Sequence, residues 1–200
     1  MSMWRIGLTG SIATGKSTVL GAFAYLGVPV LSADAVVAEL YAGEAVAPVE
    51  ALFPGTARDG VIDRVALSKA LAADPSGFAR LEAVVHPLVR ERIAQFLDQA
   101  EAQGHALAVV EVPLLFESGF DYGFDAIAVT WVDPAIQRQR ALARPAMSGE
   151  KLDTILARQL PQAEKKQRAS YLFDTGLPID QTRQMVAALV ASIRAKDTTS

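Results

Sequence analysis

The sequence predicts an α/β fold: a parallel five-stranded sheet flanked by helices, with a helical insertion. Three observations carry this. Short apolar runs alternate with amphipathic stretches, the pattern of βαβ units. A glycine-rich segment, Gly10 to Ser17, separates the first apolar run from the first amphipathic one. A strand-poor stretch, about 33–103, is too long for one crossover and predicts a helical subdomain set into the sheet.

The elements follow in order. Trp4–Thr9 reads as strand one. A helix over about Lys16–Leu26 places Val19, Leu20, Phe23 and Leu26 on one face, and Gly27 stops it. Val28–Leu31 is strand two. Helices punctuated by Pro48, Pro54-Gly55, Asp59-Gly60 and Asp74-Pro75 fill the next stretch. Pro87 predicts a bend in the long helix there. Ala106–Val112 and Ala126–Val132 are strands three and four. Asp133-Pro134 has the form of an N-cap followed by proline at the first helical position. Residues 135–169 are helical and basic, and Tyr171–Phe173 is a short last strand. A final helix, about Asp180–Arg194, carries Val186, Leu189, Val190 and Ile193 at core spacing, and a frayed tail is expected from Lys196 to Ser200.

Composition narrows the chemistry. Apolar residues make up 51% of the chain, enough for a core. With no Cys, disulfides, thiolate metal sites and a Cys nucleophile are excluded. His86 and His105 are the only histidines, so any metal is expected to be a hard cation held by oxygens, which points to Mg2+. The net charge of −3 argues against nucleic acid as a partner. The start, Met1-Ser2-Met3-Trp4-Arg5, lacks the pattern of a signal peptide, and the apolar run Ala106–Phe116 is broken by Glu111 and Pro113. No membrane partner is therefore expected, and a cytoplasmic location is.

Gly10-Ser11-Ile12-Ala13-Thr14-Gly15-Lys16-Ser17 matches G-x-x-x-x-G-K-[ST], the phosphate-binding P-loop, without departure. Its glycines let the backbone turn so that successive N–H groups face phosphate oxygens. The following helix adds its positive dipole end. Lys16 reaches the β- and γ-phosphates, and the Ser17 hydroxyl is suited to ligating magnesium. Thr18 either touches a phosphate or faces solvent. The strand before the motif and the helix after it supply the required context, so the fold is expected to be of the P-loop NTPase type.

A GTPase is excluded, because guanine reading in that class uses Asn-Lys-x-Asp and this chain has no Asn. Large remodelling ATPases need a longer domain and a clear acidic Walker B strand. Val109-Val110-Glu111-Val112 is a loose version, in which Glu111 either orders a magnesium-bound water or is a strand-end charge. A small-molecule kinase fits better. A P-loop kinase of a nucleoside- or nucleotide-like hydroxyl substrate is one form of it, and a regulatory P-loop ATPase is the rival class. Asp34 lies just past strand two, at the sheet edge where ligands gather. It either accepts a proton from an attacking hydroxyl or caps the helix starting at Ala35.

Gly10–Thr18, Ala33-Asp34, His86-Pro87-Leu88, Val112-Pro113-Leu114-Leu115-Phe116-Glu117 and Phe173-Asp174-Thr175-Gly176 occur in the order found in dephospho-CoA kinases, and the chain resembles that family over nearly its whole length. The resemblance implies transfer of the ATP γ-phosphate to the ribose 3′-hydroxyl of dephospho-CoA, the last step of coenzyme A synthesis. It implies a helical CoA-binding subdomain over about 60–103 and a lid over about 135–169. Asp34 matches the family's base. Thr9, His86 and Leu114 fall at positions on the substrate side, and Thr175 at the adenine side. Two departures stand out. Ser32-Ala33-Asp34 replaces the Asp-Ala-Asp of many members. Asp174-Thr175-Gly176 replaces Asp-Asn-x-Gly, so adenine contact there is either mainly backbone or made by Thr175.

From 135 to 169 there are eight basic residues against three acidic ones, a local +5 that leaves −8 in the rest of the chain. Arginine's planar fork suits phosphoryl groups, and such helices can close over nucleotide. A solvated basic face is the plainer alternative. In the resembled family a lid arginine contacts ATP. Arg144, just before Pro145, is the first candidate and Arg140 the second.

Overall fold

The computed structural model describes residues 3–74 and 76–197, so Met1, Ser2, Pro75 and the 198–200 end of the expected frayed tail lie outside the described residues. The chain divides into two compact units: residues up to Leu31 with those from Leu97 onward, and Ser32–Phe96.

The first unit holds the main sheet but for Ser32, the last residue of β2. Its strands are β1 (Trp4–Gly10), β2 (Val30–Ser32), β5 (Leu107–Glu111), β6 (Ala126–Trp131) and β7 (Tyr171–Asp174), in the order β2-β5-β1-β6-β7. The sheet is parallel, and β1 sits at its centre, with Leu8 opposite both Glu111 and Ala128. Its helices are α1 (Lys16–Tyr25), α6 (Leu115–Ser118), α7 (Pro134–Leu142), α8 (Gly149–Ala157), α9 (Gln162–Gln167) and α10 (Ile179–Asp197). Every residue of β5 is buried, as a strand covered on both faces requires. The core joins Ile6 and Leu8 to Val19 and Phe23 of α1, and to Val186, Val190 and Ile193 of α10. Phe23 meets Phe173 edge-on, with ring centroids 6.1 Å apart. Gly27, at φ 72°, ends α1 as expected. Its N–H donates to Ala24 and that of Val28 to Phe23, the paired bonds of a Schellman turn. Asp133 caps α7 through the Ala135 N–H, as the sequence foretold. The final helix runs longer than expected and includes Lys196 and Asp197.

The second unit contains α2 (Ala33–Leu40), α3 (Val46–Leu52), α4 (Arg64–Ala73) and most of α5 (Gly77–Ala102). It also contains strands where none were expected: β3 (Ala57–Arg58) and β4 (Val61–Ile62) form a short antiparallel hairpin. Asp59-Gly60 is its turn, with φ of 50° and 79°, the double left-handed geometry that suits strand twist. Two residues per strand leave no alternation for sequence reading to detect. Asp63 then caps α4, accepting from the N–H groups of Val65 and Ala66.

Helix α5 continues through Pro87 and does not end there. Buried Leu81, Val85, Val89 and Ile93 recur every four residues along it, and proline removes one donor from an exposed part of the helix. Packing of that stripe outweighs the lost bond.

Phe23→Ala should test the main core. Truncating a fully buried ring is expected to lower stability by about 3–5 kcal/mol, read as a shift in the urea midpoint.

Candidate active site

The P-loop joins the end of β1 to the start of α1. Gly10, at φ 157°, leaves no room for a side chain, because a Cβ would lie 2.8 Å from the Thr130 carbonyl oxygen. Gly15, at φ 85°, forms the N-cap of α1, and a Cβ there would press on Thr175 at 2.9 Å. Ala13 is also left-handed, at φ 61°. That conformation costs an L-residue about 1–2 kcal/mol. Such turns aim consecutive N–H groups into one concavity. Among the described residues, no hydrogen bond uses the N–H of Ala13, Gly15 or Ser17.

Side chains brace the loop from outside. The Thr14 hydroxyl donates to the Ser11 carbonyl at 2.8 Å and lies 2.8 Å from the Thr130 hydroxyl. Thr175 donates its hydroxyl to the Thr14 carbonyl at 2.8 Å. Arg140 in turn donates to the Thr175 hydroxyl at 3.2 Å and to its carbonyl at 2.8 Å. Both polar groups of Ile12 are held. Its N–H donates to Gln159 Oε1 at 3.0 Å, and its carbonyl accepts from Gln137 Nε2 at 2.9 Å. The loop's apolar tip, Ile12 and Ala13, packs with Ala141 and Leu152 of α7 and α8. The helices expected to form a lid are thus packed on the loop itself. Lys16 folds back, donating to the carbonyls of Gly10 at 3.0 Å and Ser11 at 3.2 Å. Ser17 and Thr18 are exposed on the first turn of α1.

Asp34 stands two residues beyond the carboxyl end of β2, exposed, in the first turn of α2. The helix begins at Ala33 with Ser32 as its N-cap residue, so Asp34 does not occupy the capping position. Among the described residues its carboxylate has no hydrogen bond or ion pair. His86 is exposed on α5. Leu114, before α6, is 45% exposed and available to a ligand. Thr9 is fully buried and donates to the Pro113 carbonyl at 3.3 Å. Thr175 is likewise buried and its hydroxyl is engaged. Glu111 is buried at the end of β5. No group of three or more His, Asp or Glu side chains suited to a metal occurs among the described residues.

The basic segment divides by partner. Arg138 pairs with Asp153 at 2.7 Å. Lys166 lies over the Trp131 ring at 3.6 Å, and Arg168 over Phe116 at 5.5 Å. Lys165 is fully buried and lies 2.8 Å from Glu117 Oε1, which also accepts from the Leu160 N–H at 2.8 Å. The side chains of Arg144 and Arg158 are exposed and have no partner among the described residues. Sequence reading missed the Glu117–Lys165 pair and the glutamines on Ile12. Glu117 stood in a recognisable motif, but a charge count treats Lys165 like its solvated neighbours, and isolated glutamines carry no pattern.

The dephospho-CoA kinase family model matches residues 4–179. A dephospho-CoA kinase of Rhizobium etli is 52% identical over 194 residues, covering 97% of this chain and 96% of that protein. One of Rhizobium meliloti is 50% identical, covering 95% and 98%. A Thermus thermophilus crystal structure superposes with a TM-score of 0.81 at 31% identity, covering 96% of this chain and 98% of that one. A Campylobacter jejuni dephospho-CoA kinase shares the fold, with a TM-score of 0.69 at 23% identity and the same coverage.

The buried ion pair sets an acid-stability expectation. Burial alone would push the Glu117 carboxyl up, but Lys165 and the N–H groups of Leu160 and Glu117 outweigh it and hold the group below its ordinary 4.5. A depressed carboxyl adds stability above its unfolded value and loses it as pH falls through the folded one. The stability gap between the parent and Glu117→Gln should therefore be full above pH 4.5 and shrink below it, measured by urea unfolding across pH. Lys165→Met leaves the carboxylate buried without its counter-charge, and about 3–5 kcal/mol should be lost at neutral pH.

Proposed function

The chain belongs to the dephospho-CoA kinase family, and from that premise we propose how its residues move the γ-phosphate of ATP to the ribose 3′-hydroxyl of dephospho-CoA. The observation that carries the reading is an unaltered P-loop, braced from outside and with inward N–H groups left unspent, in a chain matched by the family model over residues 4–179.

The N–H groups of Ala13, Gly15 and Ser17, with the α1 N-terminus, bind the phosphates of ATP. Ser11, Ile12 and Thr14 shape the loop around them, and Thr18 borders it. Lys16 exchanges the Gly10 and Ser11 carbonyls for β- and γ-phosphate oxygens. Asp34 accepts the 3′-hydroxyl proton as that oxygen attacks the γ-phosphorus. The bond to the β–γ bridging oxygen breaks, and ADP leaves. Asp34's exposure, its position past β2 and its lack of a partner among the described residues support this role.

Arg144, exposed and without a partner among the described residues, meets the transferring phosphoryl group. Arg140 is committed to Thr175 and holds the 174–176 turn, so adenine contact at that turn is made by backbone. His86 and Leu114 contact dephospho-CoA, and Thr9 supports the Leu114 segment from below. The residues fit magnesium, since the Ser17 hydroxyl is exposed and the site needs few protein ligands when phosphates supply the rest. When bound there, it neutralises phosphate charge. No helix among the described residues is long and apolar enough to cross a membrane; the reaction is proposed to run in the cytoplasm.

Purified protein with ATP and magnesium should release ADP only when dephospho-CoA is present, and coenzyme A should appear in equal amount. Acceptor-independent hydrolysis would favour a regulatory ATPase instead. Asp34→Ala should reduce kcat by at least about 100-fold while the ATP KM stays within about two-fold. Full activity in that variant would remove Asp34 from the mechanism.

A further inference from the structure

We propose that Gln137, Gln159 and Gln162 are positioning residues for the donor phosphates, acting through the backbone of Ile12. The inference rests on the kinase reading and assigns a task that no motif residue performs.

The three side chains form one directed chain. Val132 N–H donates to Gln162 Oε1 at 3.1 Å. Gln162 Nε2 donates to Gln137 Oε1 at 2.7 Å. Gln137 Nε2 donates to the Ile12 carbonyl at 2.9 Å. From the other side, the Ile12 N–H donates to Gln159 Oε1 at 3.0 Å. Gln137 is buried, so its amide has no ready exchange with water.

The geometry gives this chain a consequence. In a trans peptide the carbonyl and the following N–H point in opposite directions. Gln137 fixes the Ile12 carbonyl outward, toward α7. The Ala13 N–H on the same peptide must then face the other way, where no protein atom among the described residues takes it. Ala13 pays for this orientation with a left-handed φ of 61°. Without the outside grip, that peptide relaxes by rotating, and a phosphate donor turns away. Gln159 is itself anchored by its neighbour, because the Leu160 N–H and Lys165 both bind Glu117. Its hold on Ile12 is thus tied to a buried ion pair.

The polarity of each bond supplies the test. Gln159 only accepts from Ile12, and a carboxylate can do the same. Gln137 donates to Ile12, and a carboxylate cannot. Gln137→Met and Gln159→Met should each raise the ATP KM, and weaken ADP binding by calorimetry, by about ten-fold, with the dephospho-CoA KM unmoved. Gln159→Glu should restore affinity relative to Gln159→Met, whereas Gln137→Glu should be at least as impaired as Gln137→Met. Equal behaviour of the two Glu variants would overturn the proposal, as would equal changes in both substrates' KM. The ADP titration needs no acceptor, so it decides the glutamines even if turnover with dephospho-CoA fails. Lys16→Ala should abolish turnover and serves as the control for the kinase reading.

Discussion

A loop that keeps its N–H groups for phosphate cannot use them to hold its own shape. That constraint organises this protein around residues 10–17. The strand and helix that flank the loop fix its ends, but three positive φ angles in between have to be held by other atoms. Thr14, Thr130 and Thr175 take one side, and the glutamines of the α7–α9 region take the other. The sheet order follows the same need. Placing β1 between β5 and β6 brings Thr130 beside Gly10 in register, where its hydroxyl meets Thr14.

The charge pattern reads differently once partners are known. A segment with a surplus of five positive charges suggests a phosphate clamp throughout. Most of that charge is spent elsewhere. Arg138, Lys165, Lys166 and Arg168 fix helices to carboxylates and aromatic rings, and Arg140 holds a turn. Ion pairs, cation–π contacts and hydrogen bonds of this kind order a framework, while Arg144 and Arg158 keep their forks exposed. The net charge therefore describes solubility and says little about how many cations face a nucleotide.

Much of the fold was legible because its signals are periodic or local. Apolar runs marked the five strands, Gly27 and Asp133 marked helix ends, and the P-loop spacing marked the phosphate site. The departures share one cause, that short or long-range features carry no period. The β3–β4 hairpin has two residues per strand, and only Asp59-Gly60 announced it. Pro87 predicted a bend within a long helix, and the helix runs on through it, carried by a buried four-residue stripe. At the site, the motif residues were visible, yet their supports were not. Gln137 and Gln159 are 125 and 147 positions from Ile12, and nothing in one sequence links them. Thr9 and Thr175 were placed near ligands by the resemblance alone, and the sequence could not foretell that their hydroxyls donate to the Pro113 and Thr14 carbonyls.

Glu117 lies at the α6 end of the Pro113–Glu117 segment and, through Leu160 and Lys165, holds the backbone next to Gln159, which grips the Ile12 N–H. The Pro113–Glu117 segment and the 160–165 segment thus share one carboxylate. For protein evolution this makes residues 113–117 and 159–165 epistatic: a change that is neutral in one lineage can be harmful in another whose partner segment has drifted. Grafting either segment alone from a relative carries that risk, and exchanging both together avoids it.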